Sequence, residues 1–346
     1  MNLLATDIFD LFRAQFKRCH VKANERTAVL AEANSRPEYV EAAFAALKSL
    51  DTTVVLITVP SCTGSLLPGE GLSADLLEGN LPAIEALSLC DFVVDVSSSA
   101  IVHSAYRVKI QERGARILTV IEPPDVLARC TPSVDLKNRV LVAGRLLDAA
   151  NKFHVRSDHG TDISFDRGTN PLGLQYGLAD EPGRWDHWPS GMAAVYPEDG
   201  TAEGVIVLAP GDIVFPLARY IQSPVTFEIE KGWIRKISGA GLDAEFIRGY
   251  MDVWNQPEAY ATSHIGWGLD HSAQWITSQL YGPRDLIGMD GRCFAGNFLW
   301  STGPNKFVGR HTSCHYDIAM RGCTITLDDR IVVDNGQIAY DESTGE

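Results

Sequence analysis

The feature that most constrains this chain is the alternation of helix-period and strand-like segments in its first third. An amphipathic stretch runs from Leu3 to Phe16, and Thr27–Ala31, Pro37–Leu47 and the β-branched run Thr53–Val59 follow. Leu81–Leu89 then reads as helix, Phe92–Val96 as a buried strand, His103–Arg113 as helix and Ile117–Ile121 as a strand stopped by Pro123-Pro124. Such alternation predicts a parallel sheet covered by helices, with ligands approaching the carboxyl ends of its strands. The turn Ser97-Ser98-Ser99 and the following His103 lie at one of those ends.

Val134 to Phe153 carries a long helical pattern leading out of this region. Beyond it the pattern changes to strands and turns: His154–Phe165, Gly204–Leu208, Thr226–Ile229 turning into Ile234–Ile237, and Cys323–Val333 before the hairpin turn Asn335-Gly336. One helix, Asp243 to Trp254, interrupts them. The expected organisation is an α/β domain with a parallel sheet over residues 1–140, followed by a mostly antiparallel α+β metal-binding domain over 141–346.

A formal net charge of -14 sets the chain against phosphate backbones, so nucleic acid is not an expected partner. The densest basic run, Arg13, Lys17, Arg18 and Lys22, interleaves with Phe12 and Phe16 and reads as the wet side of a helix. No apolar run approaches a membrane span, and Asp7 and Asp10 oppose a secretory signal, so the expected address is the cytoplasm. Seven cysteines without a C-x-x-C pair fit free buried thiols better than disulfides or a zinc clip. Gly239-Ala240-Gly241 lacks the third glycine of a dinucleotide fingerprint, and there is no Walker-type loop.

His315-Tyr316-Asp317 falls in a strand-like run, Ser313 to Met320, where residues two apart share a face. A histidine and a carboxylate on one face supply two of the three ligands of a 2-His-1-carboxylate centre. The same spacing also suits an ion pair on a strand edge. A third ligand has to come from His20, His103, His154, His159, His187, His264, His271 or His311, and spacing does not choose among them. The most suggestive context is Ser263-His264-Ile265-Gly266-Trp267-Gly268, read as a glycine-rich loop in which the backbone can approach closely. His187, within Arg184-Trp185-Asp186-His187-Trp188, sits among aromatics suited to stack a flat ring while the imidazole bonds a ring substituent. Ser301, after Asn297-Phe298-Leu299-Trp300, is a softer candidate for a substrate hydrogen bond.

Gly160-Thr161-Asp162-Ile163, Trp188-Pro189-Ser190-Gly191, His264-Ile265-Gly266-Trp267-Gly268 and His315-Tyr316-Asp317 together resemble the thermophilic-aminopeptidase (M29-like) superfamily. The whole chain resembles its oxygenase branch, the 2,5-dihydroxypyridine 5,6-dioxygenases. Where the peptidases resemble one another in a glutamate, this chain has His264. That exchange suits one Fe(II) better than a pair of dications. The resemblance implies His264, His315 and Asp317 as iron ligands, and His103 as the proton acceptor of the reaction. It also implies Fe(II) as cofactor, O2 and a small aromatic as substrates, ring opening between C5 and C6 to N-formylmaleamic acid in nicotinate or nicotine breakdown, and a homo-oligomer. A metal-dependent aminopeptidase of the same superfamily is the alternative reading, and a non-catalytic ligand binder a third.

Overall fold

The computed structural model describes residues 5–61, 75–102, 104–282 and 286–346. Its contacts divide the chain into two compact units. One is built from Met1–Ser133, Gln175–Ser190 and Tyr281–Met289, the other from Val134–Leu174, Gly191–Leu280 and Asp290–Glu346.

The first unit holds a parallel sheet in the spatial order Thr53–Val59, Arg26–Glu32, Phe92–Asp95, Arg116–Val120, Trp185–Trp188. The four strands expected from the β-branched runs are all present. The fifth, Trp185–Trp188, is only four residues long and sets Asp and His between its tryptophans with no β-branched residue, so its strand signal is weak. The first helix, Ala5–Arg18, buries Ile8, Phe12 and Phe16 at four-residue spacing while Lys17 and Arg18 stay exposed in its last turn. Phe16 meets the sheet edge-on at Phe92, with ring centroids 5.7 Å apart. Phe12 contacts Phe16, Tyr39 and Trp188 at 5.3–5.8 Å. Removing such a ring leaves a cavity in a close-packed layer, so Phe12→Ala is expected to lower the unfolding free energy by about 3–5 kcal/mol in denaturant titration. The helix Ala105–Gln111 is capped by Ser104, whose hydroxyl accepts from the Tyr106 N–H at 3.1 Å. The expected helix began at His103, which lies outside the described residues.

At the carboxyl end of its strand Asp95 is fully buried. It accepts hydrogen bonds from the Ser97 N–H (3.1 Å), the Ser97 hydroxyl and the Ile101 N–H (2.9 Å), which fastens the turn between them. Burial pushes its carboxyl up to about 6, the hydrogen bonds pulling against it. A folded value above the unfolded one means that the folded state holds the proton more tightly between about pH 4 and 6. The contribution is therefore complete below that window and lost as pH rises through it. Asp95→Asn is expected to lack this part. The stability difference between wild type and variant should shrink from pH 4 to pH 7 in denaturant titrations at each pH.

The second unit is a sandwich of two sheets. One follows the order Trp233–Ser238, Val225–Glu230, Glu203–Leu208, Asp162–Asp166, Lys152–Ser157, Cys323–Leu327, Arg330–Asp334, Gln337–Ile338. The other runs Arg219–Tyr220, Ile213–Val214, Tyr316–Met320, Phe298–Thr302, Thr262–Gly268, Met192–Val195, Leu172–Gln175. Every register resolved in these two sheets is antiparallel. Phe153, Phe165 and Phe227 project from the first sheet onto Trp267, Phe298 and Trp300 of the second, with ring centroids 5.2–6.5 Å apart. All six are buried, forming the dry layer that holds the sheets face to face.

Several expected segments divide. His154–Phe165 is two strands, Lys152–Ser157 and Asp162–Asp166, because Gly160 adopts φ +104 and turns the chain. Cys323–Val333 is likewise two strands. The Asn335-Gly336 turn, both residues at positive φ, joins Arg330–Asp334 to Gln337–Ile338 as expected. The long helical pattern ends at Ala149. The α/β and α+β architecture read from the sequence is the architecture observed. Among the described residues no helix is long and apolar enough to cross a membrane. The six described cysteines are free and buried, and Cys62 lies outside the described residues.

Candidate metal centre

Three adjacent strands of the second sandwich sheet build the site. Thr262–Gly268 carries His264, Phe298–Thr302 carries Ser301, and Tyr316–Met320 carries Asp317 with His315 immediately before it. Asp317 pairs directly with Ser301 across the ladder. The partner register on the other side jumps from Thr262↔Thr302 to Ile265↔Trp300, so Ser263 and His264 together oppose Ser301. This is a β-bulge, which re-aims a side chain that regular pleating would place elsewhere. The expectation of a loop at His264 is therefore corrected: the residue lies in a strand.

A bulge leaves backbone groups without a ladder partner, and Ser301 supplies them. Its hydroxyl accepts from the His264 N–H at 2.8 Å and donates to the His264 C=O at 3.1 Å. The glycines after the bulge are required for packing. A Cβ on Gly266 would sit 2.2 Å from the Ala193 carbonyl oxygen, and one on Gly268 would sit 2.3 Å from that of Phe294.

The donor atoms of His264, His315 and Asp317 all lie within 4.8 Å of one another. His264 Nε2 is 3.4 Å and His315 Nε2 3.2 Å from the same carboxylate oxygen, Asp317 Oδ1. Both separations exceed the roughly 2.7–2.9 Å of a charge-assisted hydrogen bond. His315 Nδ1 lies 3.2 Å from the Thr302 carbonyl oxygen, which only accepts, so Nδ1 carries a proton and Nε2 is the nitrogen turned toward Asp317. Burial drives the His264 imidazole down to about 4, and it is neutral near pH 7. The neighbouring His315 and the Arg292 guanidinium hold the Asp317 carboxyl well below its usual range, against its own burial. Asp317 Oδ1 and His264 Nδ1 have no hydrogen-bond partner among the described residues. Two imidazole nitrogens and a carboxylate oxygen thus converge on one point, an arrangement that a cation satisfies.

Of the residues singled out from sequence, the structure brings together His264, His315, Asp317 and Ser301. His187 lies in the Trp185–Trp188 strand of the other unit, buried, with its ring edge-on to Trp185 at 4.9 Å. His103 lies outside the described residues. Sequence reasoning missed Arg292, whose Nε donates to Asp317 Oδ2 at 2.8 Å, and Thr302, which acts through its main chain. A single arginine in Met289–Cys293 offers no motif that would have found it.

A profile of the family described as NicX, 2,5-dihydroxypyridine 5,6-dioxygenase, matches residues 7–340. A curated 2,5-dihydroxypyridine 5,6-dioxygenase from Pseudomonas putida KT2440 is 44% identical over 350 residues, covering 99% of each chain. The solved structure of 2,5-dihydroxypyridine dioxygenase from that organism superposes with a TM-score of 0.95 at 42% identity, covering 99% of this chain and 100% of the other. Wild-type AmpT from Thermus thermophilus shares the fold at a TM-score of 0.62 and 11% identity, over 96% of this chain and 98% of its own. On these similarities the chain belongs to the 2,5-dihydroxypyridine 5,6-dioxygenase family of ring-cleaving dioxygenases.

Proposed function

We propose that this chain is an Fe(II)-dependent dioxygenase that opens 2,5-dihydroxypyridine between C5 and C6. Both atoms of O2 enter the product, N-formylmaleamic acid, as a step of nicotinate or nicotine breakdown. The observation that carries the reading is the convergence of His264 Nε2, His315 Nε2 and Asp317 Oδ1 on one point. Two neutral imidazoles and one carboxylate are the donor set of mononuclear non-haem iron, and these residues would hold the ion. When bound, Fe(II) supplies the one-electron chemistry that lets O2 react with a closed-shell ring.

The chain's own residues do the rest. Burial keeps His264 unprotonated, so its lone pair is available without competition from a proton. The aromatic layer beneath the ligand strands fixes their separation. His103 is assigned as the base that takes the 5-hydroxyl proton and later returns it, a role suited to an imidazole near neutral pH. His187 is assigned a hydrogen bond to a ring substituent. The Ser301 hydroxyl has given its proton to the His264 carbonyl and one lone pair to the His264 N–H, which leaves one acceptor position for substrate.

The direct test is anaerobic reconstitution with Fe(II), followed by oxygen uptake with 2,5-dihydroxypyridine. One O2 consumed per ring opened supports the reading. Metal-dependent release of amino acids from short peptides without oxygen would replace it with the peptidase alternative. Ser301→Ala is expected to cost about 1–3 kcal/mol of stability, because two buried main-chain groups lose their partner. It should also weaken Fe(II) binding in a chelator competition. A substrate contact alone would raise KM and leave metal affinity untouched.

A further inference from the structure

The Asp317 carboxylate has a second side that the ligand assignment does not use. Oδ1 faces the two imidazoles, whereas Oδ2 accepts the Arg292 Nε–H at 2.8 Å, with both side chains only 8% exposed. Arg292 is itself held in place. Its guanidinium carbon lies 3.9 Å from the centroid of the Phe215 ring, and the Phe215 N–H donates to the Asp317 main-chain oxygen at 3.1 Å. The Arg292 carbonyl accepts from Asn297 Nδ2 at 2.8 Å, and Asn297 Oδ1 accepts from the Gly268 N–H at 2.7 Å. A closed circuit thus runs from the His264 strand through Asn297 and Arg292 to Asp317, all within one unit.

We propose that Arg292 is a positioning residue that makes Asp317 a one-oxygen ligand and cancels its charge. The inference rests on the metal assignment above. A carboxylate with both oxygens free can embrace a cation through the pair and take two coordination positions. An N–H fixed on the outer oxygen leaves a single donor, so one more position stays open to small molecules. The second effect is electrostatic. The Arg292 guanidinium offsets the negative charge of the Asp317 carboxylate, which leaves more of a bound dication's charge to attract the substrate. Such a centre favours an aromatic whose hydroxyl gives up its proton on binding. Arginine suits the task because its flat guanidinium stacks on Phe215 while its edge meets the carboxylate, which a lysine ammonium does not do.

The experiment compares wild type, Arg292→Met and Arg292→Lys. Each apoprotein is titrated anaerobically with Co2+ alone and followed by its visible ligand-field absorption, which reports coordination number. Oxygen uptake is then measured after Fe(II) loading. Arg292→Met is expected to lose absorption intensity per bound Co2+, as the freed carboxylate oxygen adds a donor, and to lose about 10- to 100-fold in kcat. Its KM for 2,5-dihydroxypyridine should rise as well. Arg292→Lys should recover the KM, which follows charge, but not the spectrum, which follows the fork geometry. A folded Arg292→Met protein with the wild-type spectrum and kcat overturns the proposal while leaving the ligand assignment intact. Should that variant not fold, Arg292→Lys decides: an unchanged spectrum and kcat overturn the proposal. Wild type that takes up no Co2+ overturns the ligand assignment and this inference with it.

Discussion

A His264→Ala protein is expected to fold, to bind Fe(II) at least about a thousandfold more weakly and to show no oxygen uptake with 2,5-dihydroxypyridine. This loss exceeds the roughly 10- to 100-fold typical of groups that only support a ligand, because one of three donors is removed outright. The structural cost is small by comparison. The ring's Nδ1 has no hydrogen-bond partner among the described residues, and the Ser301 bonds go to the main chain of residue 264, which alanine keeps. A stability change of about 1–3 kcal/mol is expected, within the ordinary range for a buried truncation. Denaturant titration read beside chelator competition checks the separation. Wild-type iron affinity and turnover in this variant would remove His264 from the ligand set.

The second large effect is expected from Gly268→Ala, a change of one methyl group at a residue that touches no donor atom. The added Cβ would lie 2.3 Å from the Phe294 oxygen and 2.6 Å from the Cys293 carbonyl carbon and oxygen, so the backbone has to move. Overpacking of this kind costs about 1–3 kcal/mol or more. The displaced segment is the one that carries Arg292, and the Gly268 N–H is the group that Asn297 holds. Iron affinity and kcat should fall together, by about 10-fold or more. A variant with a lowered melting temperature but wild-type affinity and turnover would show that the approach of these backbones matters to stability alone.

What could be read from the sequence follows from how each element signals its surroundings. The strands Arg26–Glu32, Phe92–Asp95 and Arg116–Val120 are buried on both faces, and their runs of apolar residues announce it. The helix Ala5–Arg18 announces itself by one wet face. The strands that build the site are quieter. Phe298–Thr302 is buried at every position yet ends in Ser and Thr, and Thr262–Gly268 is interrupted by a bulge and two glycines. Neither alternates, and His264 consequently read as a loop residue. His315 and Asp317 were legible because two residues on one strand carry their geometry in their spacing. Ser301 and Arg292 act across the sheet and through a short connecting segment, relations that single-sequence spacing does not encode.

The ligand-bearing strands are not neighbours; the Phe298–Thr302 strand lies between them. With strands about 4.8 Å apart, the imidazole of one flank and the carboxylate of the other must lean inward across roughly 10 Å of backbone to meet. They meet above residue 301, which faces the same way as Asp317. The volume at that one position therefore sets the headroom beneath the donors. Serine, with a single heavy atom beyond its Cβ, ties down the bulge and ends there, whereas a leucine would fill the space in which the donors converge. The capacity of the sheet to host an ion thus turns on the smallness of a side chain in the strand that contributes no ligand.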